Sequence, residues 1–439
     1  MKQEWMTVFK SVVTYALTLG SLIFLLYLSA LVPETAIYPN LESSALALLE
    51  EDPKAMVVEN SYHSMKDNYA DAVLLGVIAN VSSEAPYYTM INTRYYDGEE
   101  YGEAYGVYAR IHGTPSNTDY TRYWHGSMTV LRPLLAVTDL DGIKVVTAVT
   151  MTLCYGLLCV MLVRKKMVPL AVMFLLSLLS VQVWYVPHSV EFAITFVIMG
   201  VITPLYVRFY KEDDKLILLS VISGCVTAFA DFLTTETITL LVPLLLVYGM
   251  REEEGLNKSF RENVFHLIKN GAAYLAAYAM TFVTKWCLAG SLTGENAFAI
   301  AMSAAGERVN GEAEFDGPLA QIGAALLANL TKLFPADSYM DGGLVAGGLF
   351  LCAVITGLVL LFFGEKEKRK REKKKGICAL FFIIACIPLL RFLVLNNHSY
   401  LHGYFTYRAL MVSVLAVLLV IWQLIDKEKG RKKGKKRKT

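Results

Sequence analysis

Apolar residues run in ten blocks along the chain, near 11–32, 143–163, 167–186, 189–207, 215–232, 236–250, 270–289, 343–363, 376–395 and 409–425. Each is long enough, or nearly so, to cross a hydrocarbon core, which takes about 20 residues of helix. The pattern predicts an all-α polytopic membrane protein of about ten transmembrane helices. Basic flanks orient it, because Lys and Arg are retained on the cytoplasmic side. Lys2 and Lys10 precede the first block, Arg164-Lys165-Lys166 separates the second from the third, and Arg208 to Lys215 the fourth from the fifth. Arg251 to Lys269, Glu365 to Lys375 and the tail Lys427 to Lys438 fall on the same side. Ten spans with both termini cytoplasmic satisfy every one of these markers.

The first block also fits a signal-peptide template, with Lys10 before the apolar run and Ser29-Ala30-Leu31 as a small-residue site. The run is long, and its removal would leave one span too few for a cytoplasmic tail, so it is read as a span. The chain then divides into 1–32 (tail and first helix), 33–130 (a large extracytoplasmic loop), 131–289 (helices two to seven), 290–342 (a second outer loop), 343–425 (helices eight to ten) and 426–439 (a basic tail). Helical spacing of apolar residues in Leu41 to Leu49 and Ala70 to Val81 predicts two amphipathic helices on the outer membrane surface. Residues 86–120, rich in Tyr, Gly and Asp, read as irregular.

Composition sharpens this picture. Of 439 residues 55% are hydrophobic and only 18% charged, with mean hydropathy +0.44, which excludes both a soluble enzyme and a disordered chain. The net charge of +2 hides a sidedness: 33–130 holds 14 acidic against 5 basic residues, while the cytoplasmic segments carry most of the Lys and Arg. A polybasic inner tail attracts anionic headgroups at about 1 kcal/mol per charge, so membrane lipids, not nucleic acid, are its expected partner. All seven cysteines lie in or beside apolar blocks. That placement argues against a disulfide framework, and metal-binding Cys spacing is absent.

Candidate chemistry gathers at the outer ends of the spans. Asp67 stands where the second outer helix starts, so it is an N-cap type of residue, and Asp71 follows one turn later on the same face. Near the other outer ends lie Arg132, His188, Glu191, Asp231, Glu236, Lys285 and Arg391, then Asn396 to His402, Tyr407 and Arg408. Six of the seven histidines fall on this side. Ionisable groups beside membrane spans are costly and usually face a polar cavity, although any single one can snorkel to the headgroups. Arg132, Lys285, Arg391 and Arg408 are cations at headgroup depth, and Arg grips phosphate oxygens bidentately. Asp67, Asp71, Asp231 and Glu236 are carboxylates able to act as a general base towards a hydroxyl. His398 and His402, four apart, share a helix face and would suit a divalent metal, but no third ligand has matching spacing. No cofactor is assigned.

A short cytoplasmic N-terminus, one span, a long outer loop with an early acidic residue and then a many-span bundle resemble the GT-C superfamily of integral-membrane glycosyltransferases. Lys66 to Ala72, Arg122-Tyr123-Trp124-His125-Gly126, Asp231 to Thr235 and His398 to Arg408 look like segments of uncharacterised bacterial members. The architectural likeness covers most of the chain and the sequence likeness about 50 residues. The resemblance implies transfer of a sugar from a polyprenyl-phosphate donor to a cell-envelope glycan or glycolipid on the outer face of the bacterial plasma membrane. Asp67 would activate the acceptor, with Asp71 beside it. Arg408, Arg391 and Lys285 would neutralise phosphate; Trp124, His125, His398 and His402 would position sugar or acceptor. Asp67 lies about 35 residues beyond the first span, where the family's acidic residue follows immediately, so Asp71 and Glu34 compete for the role. From another class, a transporter or flippase for a lipid-linked or anionic solute would use the same cations as a pathway. It would show repeated halves and helices interrupted near the midplane, whereas here the ionisable groups gather at one face. A scaffold subunit would explain the loops but not the charges.

Overall fold

The computed structural model describes residues 2–310, 315, 317–333 and 368–425; the predicted span 343–363, the end of the second outer loop and the basic tail lie outside them. Among the described residues five helices are long and apolar enough to cross a membrane: Trp5–Ala30, Leu140–Arg164, Val190–Arg208, Lys374–Val394 and Gly403–Gln423. The chain is a helical membrane protein. On Leu140–Arg164, Val145, Val149, Leu153 and Leu157 form an exposed stripe at four-residue spacing, the outward apolar face that hydrocarbon solvates.

The other apolar blocks within the described residues are also helical, with different bounds. Block 167–186 stops as an α-helix at Ser180, because Gln182 takes a left-handed conformation at φ 47° and Pro187 follows inside a 3-10 turn, Val183–His188. Asp213–Ala230 and Ile238–Glu253 follow. Phe260–Thr293 runs for 34 residues behind a capping box, in which the Ser259 hydroxyl and the Glu262 carboxylate satisfy each other's backbone N–H. It packs along Asp213–Ala230, and Gly224 permits the approach: a Cβ there would sit 2.2 Å from the Tyr274 carbonyl oxygen.

Residues 33–130 depart from two expectations. Glu34–Leu49 buries Ile37, Leu41, Ala45 and Leu48 along one side, as the spacing predicts for Leu41 to Leu49. Asn68–Asn80, by contrast, is buried on every side from Asp71 to Ala79, so it is a core helix of the loop and not a surface one. Two of its neighbours come from the segment read as irregular. Residues 86–120 hold helices Pro86–Ile91 and Gly102–Ile111, and Arg94–Tyr95 pairs antiparallel with Thr118–Asp119. Gly102–Ile111 and Arg94–Tyr95, together with Glu34–Leu49, pack around Asn68–Asn80, and an apolar sequence with partners on all sides needs no amphipathic moment.

Candidate active site

Asp67 caps Asn68–Asn80, its Oδ1 accepting from the Ala70 N–H at 3.0 Å. Ser189 and Val190, at the start of the Val190–Arg208 helix, fasten this turn. The Asp67 N–H donates to Ser189 Oγ at 2.7 Å, and the Val190 N–H donates to Asp71 Oδ1 at 2.9 Å. The next residue, Glu191, therefore stands beside Asp67. From the chain's last described helices comes Tyr404, whose hydroxyl donates to Asp67 Oδ2 at 2.5 Å.

Two tight turns complete the wall. His125 adopts a left-handed φ of 52° ahead of Gly126, whose N–H donates to the Phe229 carbonyl at 2.8 Å. Only glycine fits at 126, since a Cβ would meet Phe229 Cδ1 at 2.1 Å and the Phe229 carbonyl oxygen at 2.4 Å. Asp231 organises the second turn, accepting from the Leu233 and Thr234 N–H groups at 3.0 and 3.2 Å and from the Thr234 hydroxyl at 2.5 Å. That presents the Leu233 carbonyl, to which His398 Nε2 donates at 3.1 Å.

These pieces enclose a cavity of about 290 Å³. Asp67, Glu191, Arg122, Arg308, His398 and His402 supply its charged and polar lining, with Tyr95, Tyr120, Phe232 and Phe405 as aromatic walls and His125 among them. Burial pushes the Asp67 carboxyl above its ordinary range, opposed by the Tyr404 hydrogen bond. Behind it Asp71 is pushed up to about 7, by burial first, with Lys144 pulling the other way and the Asp67 charge adding to the rise. Burial pushes the histidines down, His125 to about 3, His402 to about 4 and His398 well below its usual value. They are neutral imidazoles at pH 7. His125 Nε2 must carry its proton, because it faces the Tyr120 carbonyl at 3.0 Å, leaving Nδ1 as a buried acceptor without a partner among the described residues.

The two arginines converge. Both guanidinium carbons lie 5.5 Å from the centre of the Tyr123 ring, and each Nε is buried without a hydrogen-bond partner among the described residues. Arg308 Nη1 donates to the Ala304 carbonyl at 3.4 Å and Arg122 lies 4.5 Å over the Tyr120 ring, so each keeps a spare Nε–H beside the cavity, and two such cations suit an anion. Carboxylates, imidazole acceptors and ring faces suit a polyol.

Comparison with protein-family models, with curated proteins and with solved structures finds no match for this chain. The site is therefore read from its own geometry.

That geometry sorts the residues singled out from sequence. Asp67, His125, His398 and His402 share the cavity, and Asp71 supports it from behind. Trp124 is buried away from it, donating from Nε1 to the Thr281 carbonyl at 2.7 Å and packing on Phe229. Tyr407 donates to the Val181 carbonyl and meets His63 Nδ1 at 2.6 Å. His188 lies against Tyr185, outside the lining. The four cations expected at phosphate are engaged within the fold. Arg132 donates to the Ile78 and Val32 carbonyls at 2.7 and 2.8 Å, and Lys285 to the Ile91 carbonyl at 2.6 Å. Arg408 donates to the His63 and Tyr404 carbonyls. Arg391 donates to Glu236 at 3.0 Å, to Ser399 Oγ and to the Leu233 carbonyl, so Glu236 is spent as well.

Sequence reasoning passed over three cavity residues. Glu191 stood among the outer-end polar groups without a role, and Arg122 stood unassigned inside Arg122 to Gly126. Arg308, on the Ala297–Asn310 helix of the second outer loop, gave no signal beyond being basic in an extracytoplasmic segment. Among the described residues no three His, Cys, Asp or Glu side chains are grouped to hold a metal ion. A larger groove of about 1030 Å³ lies between Lys2–Ala30, Asp213–Ala230 and Phe260–Thr293; apolar residues make up most of its lining, with Thr7, Ser11, Tyr15, Asp214 and Lys269 among them.

Proposed function

We propose that the chain is a GT-C-type glycosyltransferase of the bacterial plasma membrane, moving a sugar from a polyprenyl-phosphate donor to a cell-envelope glycan or glycolipid. Ten spans with both termini cytoplasmic put the cavity on the outer face. The observation that carries the reading is the cavity, which sets the carboxylates of Asp67 and Glu191 beside the guanidiniums of Arg122 and Arg308 inside aromatic walls. Arg122 and Arg308 meet the lipid phosphate, His125 Nδ1 and His402 accept from sugar hydroxyls, and Tyr120, Phe232 and Phe405 offer ring faces. A cavity carboxylate takes the acceptor proton. The support is chemical: few reactions need a proton acceptor and a phosphate clamp at one membrane face.

The test is mass spectrometry of envelope glycans from a deletion strain with and without the plasmid-borne gene, alongside native mass spectrometry of the purified protein with undecaprenyl phosphate. A glycan lost on deletion and restored by the gene supports transfer. Unchanged glycans together with translocation of a lipid-linked solute into vesicles would favour a transporter.

A further inference from the structure

We infer that Glu191, rather than Asp67, is the general base that removes the acceptor's proton. The inference rests on the transferase reading and concerns which carboxylate is both reachable from the cavity and uncommitted to the fold. Asp67 is 4% exposed, and each of its oxygens already accepts a hydrogen bond, from the Ala70 N–H and the Tyr404 hydroxyl. Asp71 accepts from Val190, faces Lys144 at 3.8 Å and does not line the cavity. Asp231 holds its turn with three bonds, and Glu236 is paired with Arg391. Glu191 differs from all four. It lines the cavity, is only partly buried, and its carboxylate makes no hydrogen bond or ion pair among the described residues.

Placement is rigid even though the carboxylate is free. The first turn of Val190–Arg208 is tied through Ser189 and Val190 to Asp67 and Asp71, so the backbone carrying Glu191 is fixed on both sides of the cap. A base needs that combination, a held backbone and an uncommitted oxygen, because proton transfer requires a heavy-atom approach of about 2.6–3.2 Å. In the step proposed, Glu191 takes the proton of the acceptor hydroxyl as that oxygen bonds to the anomeric carbon. The bond from that carbon to the phosphate oxygen breaks, and its electron pair leaves with the lipid phosphate, whose charge Arg122 and Arg308 meet. Asp67, locked to Tyr404, is a positioning residue.

The full-length protein carrying Glu191→Gln, Glu191→Asp or Asp67→Asn tests the assignment in the complemented deletion strain. Pulse-labelled envelope glycan is measured by mass spectrometry, and undecaprenyl phosphate binding is measured on each purified variant. Glu191→Gln should lower the rate of glycan formation roughly 10²–10⁴-fold, the usual cost of a lost base, with lipid binding retained. Glu191→Asp should recover part of the rate, and Asp67→Asn, which keeps the cap but alters the bond to Tyr404, should lower the rate less than Glu191→Gln does. Wild-type rate from Glu191→Gln overturns the assignment and leaves the transferase reading standing. Loss of lipid binding together with product in that variant overturns it too, because the carboxylate would then be holding the site. If the wild-type gene itself restores no glycan, the transferase reading falls and takes the assignment with it.

Discussion

Asp71 is a carboxyl shut away from water at 1% exposure, and its titration is written into the stability of the protein. One oxygen accepts from the Val190 N–H; the other faces Lys144 at 3.8 Å, too far for a hydrogen bond. The folded-state value of about 7 lies above the value near 4 of an unfolded chain, so in this window the fold holds a proton that the unfolded chain has released. For a raised carboxyl the stabilisation is complete below the unfolded value and is lost as pH rises to the folded one. The slope is about 1.4 kcal/mol per pH unit, about 4 kcal/mol over the window. His125, near 3, and His402, near 4, act in the opposite sense. They are neutral in the fold while the unfolded chain protonates near 6.5, so their contribution is complete above that pH and is lost as pH falls.

These slopes oppose one another between about 4 and 6.5. Asp71→Asn removes only one of them. Asn keeps an oxygen for the Val190 N–H, and Lys144 keeps Asp141 at 3.8 Å, so the substitution deletes a charge with little loss of contact. Apparent melting temperatures of the detergent-purified proteins, followed by intrinsic fluorescence from pH 4 to 8, give the comparison. The variant should match wild type at pH 4 and exceed it increasingly up to pH 8, by about 8 °C at roughly 2 °C per kcal/mol. A difference that does not change with pH would refute the reasoning, since it would mean that Asp71 is ionised in the fold throughout.

Arg122→Gln and Arg308→Gln should each weaken undecaprenyl phosphate binding about tenfold or more, the worth of a charge-assisted hydrogen bond, as read by native mass spectrometry at unchanged melting temperature. Arg132→Gln should do the reverse, lowering the melting temperature and sparing lipid affinity, because its guanidinium satisfies the Val32 and Ile78 carbonyls. Gly126→Ala should cost about 1–3 kcal/mol through overpacking against Phe229, visible as a lower melting temperature; a neutral result would mean that this turn is free to move. Single cysteines in place of Ser116 and Glu367 should label with an impermeant reagent in intact cells at the first position and not at the second. Labelling at the second would reverse the orientation.

Most of the described helices were legible in the chain because hydrocarbon enforces a simple rule: a spanning segment must satisfy its own backbone and show apolar side chains to lipid. Asp67 was legible for a local reason, since a short acceptor side chain ahead of an apolar run is what the free N–H groups of a helix start require. The outer loop obeyed neither rule. Asn68–Asn80 reads as amphipathic only if water lies on one side, and it is covered by Glu34–Leu49 and, from Tyr- and Gly-rich sequence without periodicity, by Gly102–Ile111 and the strand Arg94–Tyr95. Block 167–186 failed through one backbone angle at Gln182, where hydropathy carries no information.

The candidate site was legible in its residue types and not in their employment. Sequence shows that a cation or carboxylate is near a membrane face; it does not show whether a carbonyl or a counter-ion has already taken it. Arg132, Lys285, Arg391 and Arg408 all met the sequence criterion, and all four close hydrogen bonds between segments far apart in the chain, as from Arg408 to His63. A buried cation left unpaired is costly, so a fold that imports such residues ties them down unless a ligand is to do so. Arg122 and Arg308 differ by where they stand: both line the cavity beside Tyr123, each with an Nε that has no partner among the described residues, whereas Arg408, whose Nε is likewise unpartnered, does not line it; Glu191 is the matching case among the carboxylates. The same accounting that removes four expected cations from the site brings in two others and a base, and it brings all three to one cavity.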